Sequence, residues 1–192
     1  MNEDEESLFI YEQLIGLDLD DWLMLNICFR RALLLSDADH HKEAISTLKH
    51  LSKRFSLTES EMVAVQLALG TSELQAGKRR KGIKRIERSI QSLETPRQHA
   101  WLQARARYAL AQELLDEART IVLKSSNDPT KLKAQVRRRL EKIQAAEQQI
   151  AVVLQLESPE YALRGFIDCA DARLLLYDDV IAVPPPPSFT PE

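Results

Sequence analysis

The sequence predicts an all-α protein, and three observations carry that prediction. No segment alternates apolar and polar residues with the period of two that a half-buried strand requires. Glycine is scarce, five in 192 residues, and the eight prolines sit mostly at segment edges, so long helices can run uninterrupted. Helix-start signals also recur: Thr58-Glu-Ser-Glu61 and Thr95-Pro-Arg-Gln98 read as capping boxes, and Asp128-Pro129 and Ser158-Pro159 as a capping oxygen followed by proline at the first helical position.

Taken in order, the helices fall near 7–15, 20–35, 39–54, 59–76, 79–94, 97–126, 130–156 and 160–182. The acidic start, MNEDEES, reads as neither a secretory signal nor a transit peptide. Residues 1–19 form an acidic segment with a short helix, and 20–95 form two helix pairs. In the helix 97–126 the apolar positions Trp101, Ala104, Tyr108, Ala111, Leu115, Ala118 and Val122 step by three and four, which is a heptad seam. Leu132, Val136, Leu140, Ile143, Ile150 and Leu154 make a similar stripe on the next helix. With Ser125-Ser-Asn-Asp128 turning between them, 96–157 reads as a long antiparallel hairpin. A further helix spans 158–183, and 184–192 is a proline-rich linker whose final Thr190-Pro191-Glu192 repeats the helix-start theme, as if the chain were cut from a longer helical protein.

The stretch GTSELQAGKRRKG, residues 70–82, holds three of the glycines. It is no phosphate loop, because six residues separate Gly70 from Gly77 and Arg79 follows Lys78 where a hydroxyl is needed. Gly77 suits a left-handed turn between helices, and Gly70 and Gly82 would let the two backbones approach closely. Ala32, Asp39 and Ala44 repeat the spacing of Gly70, Gly77 and Gly82.

On these residues the chain resembles the tetratricopeptide repeat family, paired antiparallel helices stacked into a superhelix, over 20–95. YALRGFIDCADARLLLY, with Ala162, Gly165 and Ala170, could open a further unit. The units here are 38 residues apart, Ala32 to Gly70, against 34 in the family. The resemblance implies a non-catalytic solenoid that binds a protein or peptide partner on the face lined by the first helix of each pair. That face would carry Asn26, Phe29 and Leu33 from one unit and Ala64, Leu67, Thr71, Leu74 and Gln75 from the next. It holds no lysine or arginine, so it does not suit capture of a terminal carboxylate. The C-terminal half is similar to segments of large repeat proteins of bacterial envelopes, which implies a soluble protein of the bacterial cytoplasm or periplasm with further repeats.

Charge is uneven: the net is −3 overall, −7 over residues 1–50 and +11 over 78–142. The basic stretches supply Lys78, Arg79, Arg80, Lys84, Arg137, Arg138 and Arg139 as a candidate basic surface, and with it a rival reading, a nucleic-acid-associated helical protein. Aromatic residues for stacking bases are missing from both stretches. A third reading, a helical metalloenzyme, would draw on Asp37, Asp39, His40 and His41 or on the paired carboxylates Asp20-Asp21, Asp168/Asp171 and Asp178-Asp179. No zinc-protease spacing and no nucleophile elbow appears, so the expectation is no catalysis, no cofactor and no metal. Cys28 and Cys169 read as buried free thiols, and no apolar run is long enough to span a bilayer.

Overall fold

The computed structural model describes residues 3–124 and 129–184. Among them the chain is all-α, with no strand: α1 (Glu3–Ile15), α2 (Asp21–Asp37), α3 (His41–Arg54), α4 (Glu59–Gln75), α5 (Arg79–Gln91), α6 (Ala100–Thr120), α7 (Pro129–Gln155) and α8 (Pro159–Ala182). The chain divides into two compact units, Met1–Ala106 and Arg107–Glu192. The turn at 125–128, its Asp128 cap and the tail from 185 onward lie outside the described residues.

Helix starts follow local chemistry. Asp20 Oδ1 accepts from the Leu23 amide at 2.9 Å and starts α2. Thr58 and Glu61 form the expected capping box on α4: Thr58 Oγ1 accepts from the Glu61 amide, and Glu61 Oε2 accepts from the Thr58 amide. The second expected box does not form. Gln98 Oε1 accepts instead from the Glu94 amide at 2.8 Å, and its Nε2 donates to Ser60 Oγ. Residues 95–98 therefore turn, His99 takes φ 53°, and α6 begins at Ala100. That helix is shorter than expected at both ends, stopping at Thr120 where the β-branched run Thr120-Ile121-Val122 disfavours continuation. Ser158 and Pro159 do start α8, but the serine side chain makes no capping hydrogen bond.

In the first unit the turn after α2 and the turn after α4 are built alike. The His40 amide donates to the Leu35 carbonyl, and the Lys78 amide to the Glu73 carbonyl, both at 2.8 Å. Asp39 (φ 62°) and Gly77 (φ 76°) take the left-handed position that closes each helix. The partners in these two turns are 38 residues apart, the spacing of Ala32 and Gly70. A Cβ on Gly82 would stand 2.6 Å from the Leu74 nitrogen and 2.8 Å from the Gly70 oxygen, so α4 and α5 pack backbone on backbone. Ala32 and Ala44, at the matching positions of α2 and α3, are fully buried. Ala32, Ile45, Leu48, Leu51, Val65, Ala68 and Leu69 form a core shared by α2, α3 and α4.

In the second unit three helices alternate in direction. Arg107 donates to Gln149 Oε1 at 2.9 Å and Lys142 pairs with Glu117, which sets α6 and α7 antiparallel. Arg173 pairs with Glu147 and Arg139 with Asp179, which sets α7 and α8 antiparallel. Tyr108 ties α6 to α8: its hydroxyl donates to Asp168 Oδ2 at 2.8 Å and its ring packs 5.6 Å from that of Tyr161. Burial, and then the Asp168 carboxylate, push the Tyr108 phenol from 10.0 up to about 12. Of the expected heptad positions, Ala104, Ala111, Leu115 and Ala118 are buried and Tyr108 is half-buried, while Trp101 is exposed and Val122, also exposed, lies beyond the end of α6.

Candidate partner-binding face

Where α2, α4 and the start of α6 face one another, the first unit holds a pocket of about 200 Å³ lined by Leu25, Asn26, Phe29, Glu61, Ala64, Val65, His99 and Leu102. Its floor is apolar. Leu25 and Phe29 pack against the core, and Ala64, Val65 and Leu102 are buried. Three polar groups stand at its edge, and each is fixed by the fold. Asn26 Nδ2 donates to the Trp22 carbonyl at 2.8 Å. The Thr58 amide and then the Thr58 hydroxyl hold the Glu61 carboxyl below its usual range, so it stays ionised. His99 Nε2 lies 2.8 Å from the Ser60 carbonyl and 3.0 Å from its hydroxyl. The turn before α6 is thereby strapped to the first turn of α4, and Gln103 Nε2 braces it by donating to the Pro96 and Gln98 carbonyls.

Of the eight positions expected on the inner face, the structure brings Asn26, Phe29 and Ala64 together at this pocket. Leu33 is half-buried against the core. Leu67, Thr71 and Leu74 are buried within the unit, and Thr71 Oγ1 donates to the Leu67 carbonyl. Gln75 is exposed, and its Oε1 accepts from Ser36 Oγ at 3.0 Å. Apolar residues at helical spacing serve either a core or a groove, and the spacing alone does not separate the two uses. Glu61 and His99 were missed because one reads as a cap and the other as an isolated histidine.

The basic residues are divided by the fold. A second groove of about 400 Å³ runs along the seam of α4 and α5, lined by Met62, Val63, Gln66, Lys81, Lys84, Arg85, Arg88, Ser89 and Ser92. Lys81 and Arg85 are committed to Glu73, a carboxylate with 0% exposure, at 2.9 Å each, and Arg85 also bonds Gln66. Burial alone would raise the Glu73 carboxyl, but the hydrogen bonds and charges of Lys81 and Arg85 outweigh it and hold it low. Lys78, Arg79, Arg80 and Lys84 are exposed. On α7, Arg138 is exposed and Arg137 pairs with Glu141 at 2.9 Å. Arg139 is only 4% exposed and paired with Asp179, so it leaves the basic surface. Glu73 was the signal in the sequence, a lone acid inside the apolar run LALGTSELQ with cations eight and twelve residues on.

The carboxylates and histidines weighed for chemistry are dispersed. Asp37 binds Arg105 at 2.7 Å, and His41 lies 3.5 Å from Asp39. Asp20 caps a helix, Asp168 holds Tyr108, and Asp179 holds Arg139. Among the described residues no three His, Cys, Asp or Glu side chains converge as a metal site, and no helix is long and apolar enough to cross a membrane. Cys28 and Cys169 are free thiols, and burial raises both, Cys169 to about 11. No family model, curated protein or solved structure matches this chain.

Proposed function

We propose that this chain is a non-catalytic, tetratricopeptide-like scaffold that binds a protein or peptide segment at the pocket between α2, α4 and the start of α6. The observation that carries the reading is the pocket itself: an apolar floor with Asn26, Glu61 and His99 held rigidly at its edge. At about 200 Å³ it is smaller than the roughly 300–1,000 Å³ of small-molecule sites, and it suits one or two apolar side chains of a peptide. Side-chain anchors in such a pocket give affinity, and the fixed polar rim gives register. The 38-residue recurrence of the turn and of the small-residue pair supports a repeat architecture.

Peptides selected on the purified full chain test this. Replacing Asn26, half-buried at the rim, by arginine should weaken the selected peptides about tenfold or more, while Lys84→Glu with Arg88→Glu should leave them unchanged. Peptides indifferent to Asn26→Arg would remove the pocket from the account. The second reading, nucleic-acid association, is favoured by one observation, the α4–α5 groove, where Lys84 and Arg88 have no acidic partner among the described residues. Against it, Lys81, Arg85, Arg137 and Arg139 already hold carboxylates of the chain itself.

A further inference from the structure

Helix α8 carries two apolar seams. One, made of Ala162, Gly165, Cys169, Ala172 and Leu176, is buried in the second unit. The other is Leu163, Ile167, Ala170, Leu174, Tyr177 and Ile181, and it faces solvent: its five large side chains are 53–64% exposed. Their spacing is strictly four and three in alternation, the heptad pattern that one helix presents to another, with Ile167, Leu174 and Ile181 at a and Leu163, Ala170 and Tyr177 at d. An apolar surface this continuous on one side of a helix marks an interaction site.

We propose that α8 pairs with the α8 of a second copy of this chain as a parallel two-stranded coiled coil. Such a contact is isologous, so each seam supplies its own complement. Alternate steps of four and three are the spacing of a left-handed pair of helices, here with Ile167, Leu174 and Ile181 in one set of layers and Leu163, Ala170 and Tyr177 in the other. The flanking charges agree. In a parallel pair the g residue Arg173 stands opposite the e residue Asp178 of the other copy, on both sides of the seam. Arg173 spends Nε and one terminal nitrogen on Glu147, at 2.5 and 2.8 Å, which leaves its second terminal nitrogen for that aspartate. The stripe is widened by exposed Phe166 and Val180. A lipid surface suits it less, because Glu160, Asp168, Asp171, Asp178 and Asp179 outnumber Arg164 and Arg173 on this helix.

The test is the mass of the full chain by sedimentation equilibrium at micromolar concentration, for the wild type and for Leu174→Asp. A wild-type dimer is expected. Because Leu174 is exposed in the single chain, the aspartate variant should keep its helix content and melting temperature while its dimer dissociation constant rises at least roughly tenfold, as the loss of one buried leucine implies. Leu174→Cys in a Cys28→Ser background, oxidised mildly, should link to its own copy across the a layer. A monomeric wild type, a dimer untouched by Leu174→Asp, or a dimer in which Leu174→Cys does not cross-link would each overturn the proposal. So would a monomer that floats with anionic vesicles through Leu174.

Discussion

At the residue scale, Glu73 is a buried charge that joins α4 to α5 in the first unit. It is an ionised side chain with no exposure, seated where α4 meets α5, and it is tolerable only because Lys81 and Arg85 reach it. Breaking a fully buried pair by removing one partner costs about 3–5 kcal/mol; with Lys81 half in solvent, Glu73→Gln should cost about 2 kcal/mol, read as a lower urea midpoint at pH 7. The pH dependence has a definite sign. The folded-state pKa lies below the ordinary 4.5, so the stabilisation is complete above that value and fades as pH falls through the depressed pKa. The gap between wild type and Glu73→Gln should therefore close in acid; a gap that stays constant down to the acid limit would mean that packing and not charge explains the loss.

At the element scale, much was legible and the misses have local causes. Helices α1–α8 could be found among the described residues because their apolar periods and start signals agree, and the Thr58–Glu61 box forms as its spacing predicts. Thr95–Gln98 has the same spacing but a different fate, because Ser60 and the Glu94 amide compete successfully for the Gln98 side chain. The Glu94 amide lies just outside the four residues of the box and Ser60 lies 38 residues away, so neither competitor is visible within them. The glycine stretch was legible for a stronger reason: glycine at both 70 and 82 leaves room that only a close approach of backbones would use. Gly82→Ala would place its methyl against the Leu74 and Gly70 backbone and should cost about 1–3 kcal/mol by forcing α4 from α5. Gly77→Ala meets no atom within 4 Å but must hold φ 76°, and should cost about 1–2 kcal/mol. Thermal melts of the two variants check both; a Gly82→Ala protein as stable as wild type would contradict the backbone contact.

At the scale of the whole molecule, the site was harder to read than the fold. Asn26, Phe29 and Ala64 do meet, but Leu67, Thr71 and Leu74, equally apolar or small and equally periodic, are consumed by the core. Which stripe a helix buries depends on where its neighbours sit, and sequence spacing does not record that. The basic stretches were similarly ambiguous until Glu73, Glu141 and Asp179 were seen to hold Lys81, Arg85, Arg137 and Arg139. The central claim, that recognition runs through an apolar pocket and not through charge, is tested most directly by the salt dependence of binding. Affinity for a selected peptide and for duplex and single-stranded nucleic acid would be measured side by side at about 50 and 200 mM salt, a range over which a protein making several phosphate contacts loses roughly a thousandfold or more. The account predicts peptide binding that changes less than about twofold across that range and no nucleic-acid binding at its low end. Tight nucleic-acid binding that collapses with salt, and is lost in Lys84→Glu with Arg88→Glu, would contradict it.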